Sequence, residues 1–286
     1  MTSESIPYYI VDAFASRPYA GNPAAVCPLP RWLDDAALQA IAAENNLSET
    51  AFLVVHGNAK VEAGAPEFEL RWFTPKIEVD LCGHATLAAG WVVTRHLRPE
   101  AKQARFHTKS GLLSVARQGE KLALDFPAKQ VEPADRGLSE LVAEAIDHEP
   151  VEVLRNGKIM AVLDSAAAVR AIRPDFAKVA ALEGNGLIVT AMAGAGERPA
   201  DFVSRYFAPH AGIDEDPVTG AAHCLLVPYW AQRLRKNSLH ALQVSERGGE
   251  LFCTNKGSRV ILAGNVVPYA EGRIFLATER RRSQAA

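Results

Sequence analysis

The alternation of apolar and polar residues divides the chain into many short strands and a few helices. Residues 68–73 alternate between the two classes, which predicts a strand with one buried face. Residues 8–14 and 50–55 are rich in aromatic and β-branched side chains and predict further strands. Residues 83–97 and 219–234 are apolar nearly all round, and this pattern predicts two helices that are buried on most sides.

Shorter patterns complete the predicted elements. Asp34 or Asp35 is expected to cap a helix that runs to Ala43, and residues 175–182 predict another helix. Pro228 is expected to kink the second apolar helix. The remaining predicted strands are 24–27, 112–116, 121–126, 159–163, 187–190, 201–207, 242–245, 251–253, 260–262 and 273–277.

Two stretches of the chain repeat one another. Arg71, Phe73, Pro75 and Asp80 recur as Arg205, Phe207, Pro209 and Asp214, each at a spacing of 134 residues. Each stretch leads into one of the two apolar helices. The repeat predicts two similar halves that meet at a shared site: residues 1–127 with a strand at about 270–280 that crosses back, and residues 128–269.

Each half therefore combines many short strands with one thoroughly apolar helix. A mostly antiparallel sheet wrapped around that helix would bury both elements. The predicted fold class is α+β, with two similar domains and an active site in the cleft between them.

Composition excludes several classes of protein. The 286 residues carry a net charge of −2, so no basic excess indicates a nucleic-acid partner. No window approaches the roughly 18 apolar residues of a membrane span, and the first residues lack the pattern of a signal peptide. The four cysteines lie far apart, which argues against a zinc knuckle or a disulfide scaffold and fits a reducing cytoplasm.

The candidate chemistry lies where the two repeats differ. Glu49 aligns with Gly184 at a spacing of 135 residues, so only the first half carries a carboxylate there. Cys82 aligns with Asp216 at the spacing of 134. If a pseudo-twofold axis relates the halves, Glu49, His84 and Asp216 face one cleft and can share proton-transfer work.

The starts of the two apolar helices predict an anion-binding site. Gly83 opens the first helix, and Thr219 and Gly220 open the second. The first amide N–H groups of a helix lack partners within the helix and carry the positive end of its dipole. Glycine also lets a ligand approach the backbone closely, so these ends suit a carboxylate or a developing enolate.

Four segments together carry a resemblance to a known family. They are NPAAV at 22–26, LSETAF at 47–52, LCGHAT at 81–86 and DEDPVTG at 214–220. In this order, and over almost the whole chain, they resemble the PhzF-like (phenazine biosynthesis) isomerase family. The resemblance implies the diaminopimelate-epimerase-like fold, in which two domains each form a β-barrel around a central helix.

The resemblance also implies a reaction and roles for three residues. The best-understood chemistry of the family is cofactor-free isomerisation of trans-2,3-dihydro-3-hydroxyanthranilate by movement of a proton. Glu49 matches the family's acid/base, while His84 and Asp216 match the rest of its polar set. We therefore expect an isomerase of a small carboxylated substrate that uses neither a cofactor nor a metal.

The family's substrate contacts map onto Ser48, Gly83 and Gly220. The sequence departs from the family at Ala221, where many members carry serine, so one hydroxyl is missing. Because the family often forms homodimers, we expect a homodimer that binds a small carboxylate and neither nucleic acid nor a membrane.

Other interpretations of these residues remain open. Cys82 fits a small buried hydrophobe, although Cys82, His84 and His223 together are a weak candidate for a metal site. Asp216 could simply cap the second apolar helix. An amino-acid racemase of the same fold usually needs two opposed thiols, and here Asp216 stands opposite Cys82. A non-enzymatic binding protein that keeps the cleft is the remaining alternative.

Overall fold

The computed structural model describes residues 4–57, 65–197 and 199–276 of the chain. The strands are β1 Ser5–Ala13, β2 Asn22–Leu29, β3 Glu49–Val55, β4 Glu67–Phe73, β5 Glu78–Val79, β6 Gln103–Thr108, β7 Gly111–Gln118, β8 Lys121–Pro127, β9 Glu132–Pro133, β10 Glu152–Asn156, β11 Lys158–Val162, β12 Leu187–Met192, β13 Phe202–Ala208, β14 Ile213–Glu215, β15 Ser238–Gln243, β16 Gly249–Asn255, β17 Arg259–Gly264 and β18 Val266–Phe275. The α-helices are α1 Asp35–Asn45, α2 Gly83–Val92, α3 Arg136–Ile146, α4 Ala166–Ala171, α5 Phe176–Ala181 and α6 Gly220–Leu234. This mixture of strands and helices confirms the predicted α+β class.

The same order of strand pairings occurs in both halves. In the first half β1 pairs with β2, β2 runs parallel to β3, β3 pairs with β4, β4 runs parallel to β6, and β7 and β8 follow. In the second half β10, β11, β12, β13, β15, β16 and β17 repeat this succession, again with parallel pairs at the second and fourth steps. The antiparallel pair of β8 and β17 joins the two series. The C-terminal strand β18 lies antiparallel to β1.

The two apolar helices lie against the inner faces of these strands. Helix α2 packs on β1, β2, β3, β7 and β8, while α6 packs on β15, β16 and β17, and the two helices contact each other. All residues of α2 except Trp91 are buried, as its uniformly apolar sequence predicts. A Cβ atom at Gly90 would lie 2.4 Å from Val115, so glycine is needed where the helix meets β7.

Smaller helices cover the outer faces of the sheets. The Asp34 carboxylate caps α1 by accepting from the Ala37 amide at 2.7 Å, and Leu38 of that helix joins a core with Phe52 and Phe73. Helices α3, α4 and α5 cover the corresponding side of the second half through a separate apolar cluster. No helix of the described chain is both long and apolar enough to cross a bilayer.

Several elements differ from their predictions. The first apolar helix ends as an α-helix at Val92, and Val93–Leu97 continues it as one π-helical turn. The strand predicted at 242–245 is β15, which begins earlier and ends at Gln243. The strands β6 and β10 were missed, although β6 alternates polar and apolar residues from Gln103 to His107. The crossing strand begins at 266 rather than near 270, and positions 277–280 of the prediction lie outside the described residues.

The alignment of the two repeats also needs a correction. Arg71 binds Glu78 through two contacts of 2.8 and 2.9 Å, and Arg205 binds Glu215 in the same way at 2.7 and 2.8 Å. The arginines are 134 residues apart but the glutamates are 137 apart. Three additional residues in the second half, accommodated by the short 3₁₀ turn Pro209–Ala211, account for this change.

This shift changes which residues correspond. Gly83 and Gly220 are the first residues of their helices, so Cys82 corresponds to Thr219, and the predicted match of Cys82 with Asp216 is wrong. Glu49 precedes Thr50, which pairs with Phe73. The corresponding antiparallel pair in the second half joins Leu187 to Phe207, so the counterpart of Glu49 is Gly186 rather than Gly184. The first half remains the one with the carboxylate.

Candidate active site

Residues from both halves line one cavity with a volume of about 440 Å³. Six of the seven residues predicted for the site lie on its wall: Glu49, Gly83, His84, Asp216, Thr219 and Gly220. Ser48 lies half-buried in the bend before β3 and is not among the lining residues, so its role in binding stays a prediction.

Glu49 and His84 form the first pair of the site. Glu49 is the first residue of β3, and its side chain is only 13% exposed. Its Oε2 atom lies 3.1 Å from Nε2 of His84, yet the two atoms are not aligned for a directed hydrogen bond. Both atoms are buried and neither has a hydrogen-bond partner among the described residues, so each can bond a molecule in the cavity.

The neighbours of His84 indicate where its proton lies. Nδ1 of the imidazole is 3.1 Å from Nδ2 of Asn22, an amide nitrogen that can only donate. The same amide nitrogen contacts two oxygen acceptors, Oδ1 of Asp216 at 2.7 Å and the Val218 carbonyl at 2.9 Å, which fixes its orientation. These two oxygens take both hydrogens of the amide, so the donor left for Nδ1 is the Cys82 thiol, whose Sγ atom lies 3.5 Å away. With Nδ1 as the acceptor, the proton of the neutral ring lies on Nε2, which faces Glu49.

Asp216 is the centre of a buried network that joins the two halves. Its Oδ1 accepts from Asn22 of β2, and its Oδ2 accepts from the Thr219 hydroxyl at 2.6 Å. The Gln243 amide donates to the Asp216 carbonyl at 2.7 Å and accepts from the Thr219 amide at 2.8 Å. Asp216 therefore does not cap the backbone of α6 directly, but it positions the residue that precedes the helix.

The charges of this network shift its protonation. Burial raises the pKa of Asp216 to about 6, although the nearby His84 and the two hydrogen bonds that it accepts act in the opposite direction. Burial disfavours the charged form of His84, but the carboxylates of Glu49 and Asp216 outweigh burial and raise its pKa. The raised pKa of Asp216 therefore lies close to neutral pH, and the raised pKa of His84 favours its protonated form.

The two apolar helices begin side by side at the cavity. A Cβ atom on Gly83 would lie 3.3 Å from the Gly220 Cα, and one on Gly220 would lie 3.4 Å from the Gly83 Cα. Neither helix has a side-chain cap or an acidic residue in its first turn. Two positive helix ends thus converge where glycine leaves the backbone open, as the sequence predicts.

Three residues of the site also have the donor atoms for a metal ion. Glu49, Cys82 and His84 each offer one ligand atom, and these atoms lie within 4.8 Å of one another. Burial and the charge of Glu49 raise the pKa of the Cys82 thiol well above its usual range, so the group is a thiol rather than a thiolate. His223 is outside this set, because its Nδ1 bonds the Thr219 carbonyl at 2.8 Å and burial lowers its pKa to about 4.

Sequence reasoning missed several polar residues around the cavity. Lys158, Asn185 and Tyr206 line the second-half side, while Asn22 and Gln243 hold Asp216 from behind. Asn22 belongs to one of the four family segments, but nothing in its spacing indicates a contact with Asp216. Lys158 opens an ordinary short strand, and only the three-dimensional pairing brings it to the site.

Comparisons with known proteins agree with this architecture. The PhzC-PhzF family model, described as Phenazine biosynthesis-like protein, matches residues 11–272. A protein of Pseudomonas aeruginosa named as an uncharacterized isomerase is 50% identical over 273 residues, which cover 95% of this chain and 99% of that protein.

Solved structures show the same fold. A PhzF family protein of Enterococcus faecalis has a TM-score of 0.88 and 43% sequence identity, covering 96% of this chain and all of that chain. A hydroxyproline epimerase of Agrobacterium vitis is 11% identical with a TM-score of 0.56, covers 96% of this chain and 94% of that one, and shares the fold alone. By sequence and by structure, the chain belongs to the phenazine biosynthesis-like family, PhzC-PhzF.

Proposed function

We propose that the protein is a cofactor-independent isomerase that moves a proton within a small carboxylated substrate. The observation that carries this proposal is the contact between Glu49 and His84 in a cavity where two helix N-termini converge. The cavity provides a proton carrier and an anion site next to one another, which are the two parts that such a reaction needs.

Each residue has a defined part in the proposed reaction. The first amides of α2 and α6 bind the substrate carboxylate and stabilise negative charge that develops when a proton leaves carbon. Glu49 removes this proton and returns it at another carbon. The imidazole of His84 donates from Nε2 towards the reacting region, while Cys82 and Asn22 lie against Nδ1 on the other side of the ring, and Asp216 fixes the Asn22 amide.

The family and the fold support this proposal. The relative from Pseudomonas aeruginosa is named as an isomerase, and the repeated strand order suits a site between two equivalent units. In this proposal the units are two barrels, formed by residues 1–127 with the crossing strand at about 270–280 and by residues 128–269. The anthranilate-like ring of the family's best-understood substrate is one candidate for the bound molecule.

A racemase that uses two thiols is the weaker candidate. The helix-start positions that correspond in the two halves hold Cys82 and Thr219, so a hydroxyl replaces the second thiol. The high pKa of Cys82 also disfavours the thiolate that such a mechanism requires.

Proton exchange with solvent tests the proposal. Candidate carboxylates, among them 2,3-dihydro-3-hydroxyanthranilate and free amino acids, are incubated with the protein in D₂O, and proton NMR follows both isomerisation and loss of C–H signals. Glu49→Gln keeps the shape of the side chain but cannot carry a proton, so turnover should fall by about 10²–10⁴-fold or more.

Asp80→Asn is the matched control, because Asp80 is an exposed carboxylate on the same cavity. This variant should keep its activity, and the wild type should remain active after treatment with a chelator. Full activity in Glu49→Gln, or stoichiometric zinc required for turnover, would overturn the proposal.

A further inference from the structure

The second-half side of the cavity carries a lysine that the proposed reaction does not use. Lys158 is the first residue of β11, and its Nζ atom lies 2.8 Å from the Tyr206 hydroxyl and 3.1 Å from the Asn185 carbonyl. The Tyr206 hydroxyl in turn donates to the same carbonyl. These contacts hold the ammonium in place and use two of its three N–H groups.

Among the residues that the structure describes, no carboxylate forms an ion pair with the Lys158 ammonium. The lysines that form ion pairs in the described chain are Lys109, Lys178 and Lys236. Asp216 acts on Lys158 only at longer range. An ammonium that faces a cavity in this way can bind an anion without first breaking an ion pair.

Two of the cavity carboxylates, by contrast, have cationic or imidazole neighbours. Glu78 is bound by both Arg71 and Lys109, which hold its pKa down at about 2. Glu49 lies beside His84. An anionic ligand therefore meets its least compensated positive charge at Lys158.

The position of Lys158 in the sheet does not require a lysine. Ile159 pairs with Leu187, the residue after Gly186, and Ala25 pairs with Thr50, the residue after Glu49. Ile159 therefore corresponds to Ala25. Lys158 therefore corresponds to Ala24, which is fully buried in the first half. The strand forms with alanine at this place, so the ammonium is an addition that serves the cavity.

Keeping this ammonium without an anion has a measurable electrostatic cost. Burial and, to a smaller extent, the nearby Lys129 together lower the pKa of Lys158 to about 8, while Asp216 and Cys224 act in the opposite direction. A bound anion would remove this cost.

We propose that Lys158 binds a second acidic group of the substrate, so that the substrate class is a small dianion rather than a monocarboxylate. The inference rests on the proposed function for the first acidic group, which the helix N-termini bind. Tyr206 and Asn185 position the ammonium, and Glu49 acts on the carbon skeleton that links the two acidic groups.

Calorimetry with matched acids tests this inference. Benzoate is compared with benzene-1,3-dicarboxylate, and butanoate with pentanedioate, at neutral pH where all carboxyl groups are ionised. In at least one pair the wild type should bind the dicarboxylate about tenfold more tightly, which is what one charged hydrogen bond contributes. Lys158→Met should remove this preference and leave the binding of the monocarboxylate unchanged, whereas Lys158→Arg should retain it.

Lys129→Met is the matched control, because Lys129 is an exposed lysine near Lys158 that does not line the cavity. It should keep the preference. In the wild type the preference should decline as the pH rises through about 8, where Lys158 loses its proton, and the midpoint should move to higher pH in Lys129→Met. This pH dependence is available even if Lys158→Met does not fold.

Absence of any preference in the wild type, or its persistence in Lys158→Met, would overturn the inference. The same titrations in Glu49→Gln separate it from the proposed function. Failure of the dianion preference leaves the proton-transfer test untouched, and an active Glu49→Gln overturns proton transfer by Glu49 while the preference can still be measured.

Discussion

The two halves share one strand order but carry different groups at corresponding positions of the cavity. The first half has Glu49 where the second has Gly186, and the second half has Lys158 where the first has Ala24. A symmetric framework thus provides an asymmetric site, with a carboxylate on one side and an ammonium on the other. In our account this asymmetry fixes the direction in which a substrate binds and leaves one proton carrier.

The glycine of the second half is required by its surroundings. Gly186 has a φ of +99°, and a Cβ atom there would lie 2.5 Å from the Tyr206 hydroxyl and 2.7 Å from the Phe207 carbonyl. The side chain of Tyr206 therefore occupies the space that a carboxylate would need. The second half can hold Lys158 in place because it gives up a side chain at position 186.

The largest expected effect comes from adding a side chain at this glycine. Gly186→Ala should reduce the free energy of unfolding by about 2–5 kcal/mol, because backbone strain and overpacking add together. Urea unfolding measures the change. Gly119→Ala is the control, since Gly119 also has a positive φ but no atoms near its missing Cβ, and it should cost about 1 kcal/mol. Equal effects in the two variants would mean that Tyr206 does not exclude a side chain.

The second prediction concerns the two helix starts. Thr86 and His223 each bond the carbonyl of the residue that precedes their helix, but only His223 titrates. Burial lowers its pKa from 6.5 to about 4, so its contribution to stability is complete above pH 6.5 and is lost as the pH falls towards 4. The difference in unfolding free energy between wild type and His223→Thr should therefore be larger at pH 7 than at pH 4, by up to about 3 kcal/mol.

The titration of Asp216 does not affect the comparison of wild type with His223→Thr. Its pKa is raised to about 6, so its contribution changes with the opposite sign, falling as the pH rises from about 4 to 6. Because Asp216 is present in both proteins, the difference between them isolates His223. If the difference in unfolding free energy between the two proteins stays constant with pH, His223 is protonated to the same extent in the folded and unfolded states, which would contradict the prediction.

The smallest expected effect concerns Cys82 and its counterpart Thr219. If the thiol is only a buried neighbour of His84, Cys82→Ser should keep turnover within about threefold of the wild type. A thiol that carries the proton would instead lose about 10²-fold or more in this variant. Steady-state kinetics on the substrate identified by exchange decides between the two.

The elements predicted best from the sequence are those with a long, uniform pattern of apolar residues. Helices α2 and α6 each pack against several strands, so their sequences are apolar on nearly all sides. This pattern made both helices predictable. The α+β class and the family followed from them and from the four segments. The strand β6 was missed although it alternates, because the alternation is only five residues long and the strand contains a single β-branched residue, Thr108.

The predicted correspondence between the halves failed for a physical reason. An ungapped repeat of side chains does not reveal three additional residues when the turn that holds them lies between matching motifs. The bidentate contacts of Arg71 and Arg205 with their glutamates show the true correspondence, and sequence spacing alone does not contain this information. Lys158 was missed for a related reason, because its role depends on two strands brought together from distant parts of the chain.

The most direct test makes the first half resemble the second at the decisive position. Glu49→Gly gives both halves a glycine there, and turnover should fall by about 10²–10⁴-fold or more because the proton carrier is gone. Added formate, a small carboxylate that fits the space left by the side chain, should then restore part of the rate. Turnover at the wild-type rate in Glu49→Gly without formate would show that the proton is carried elsewhere.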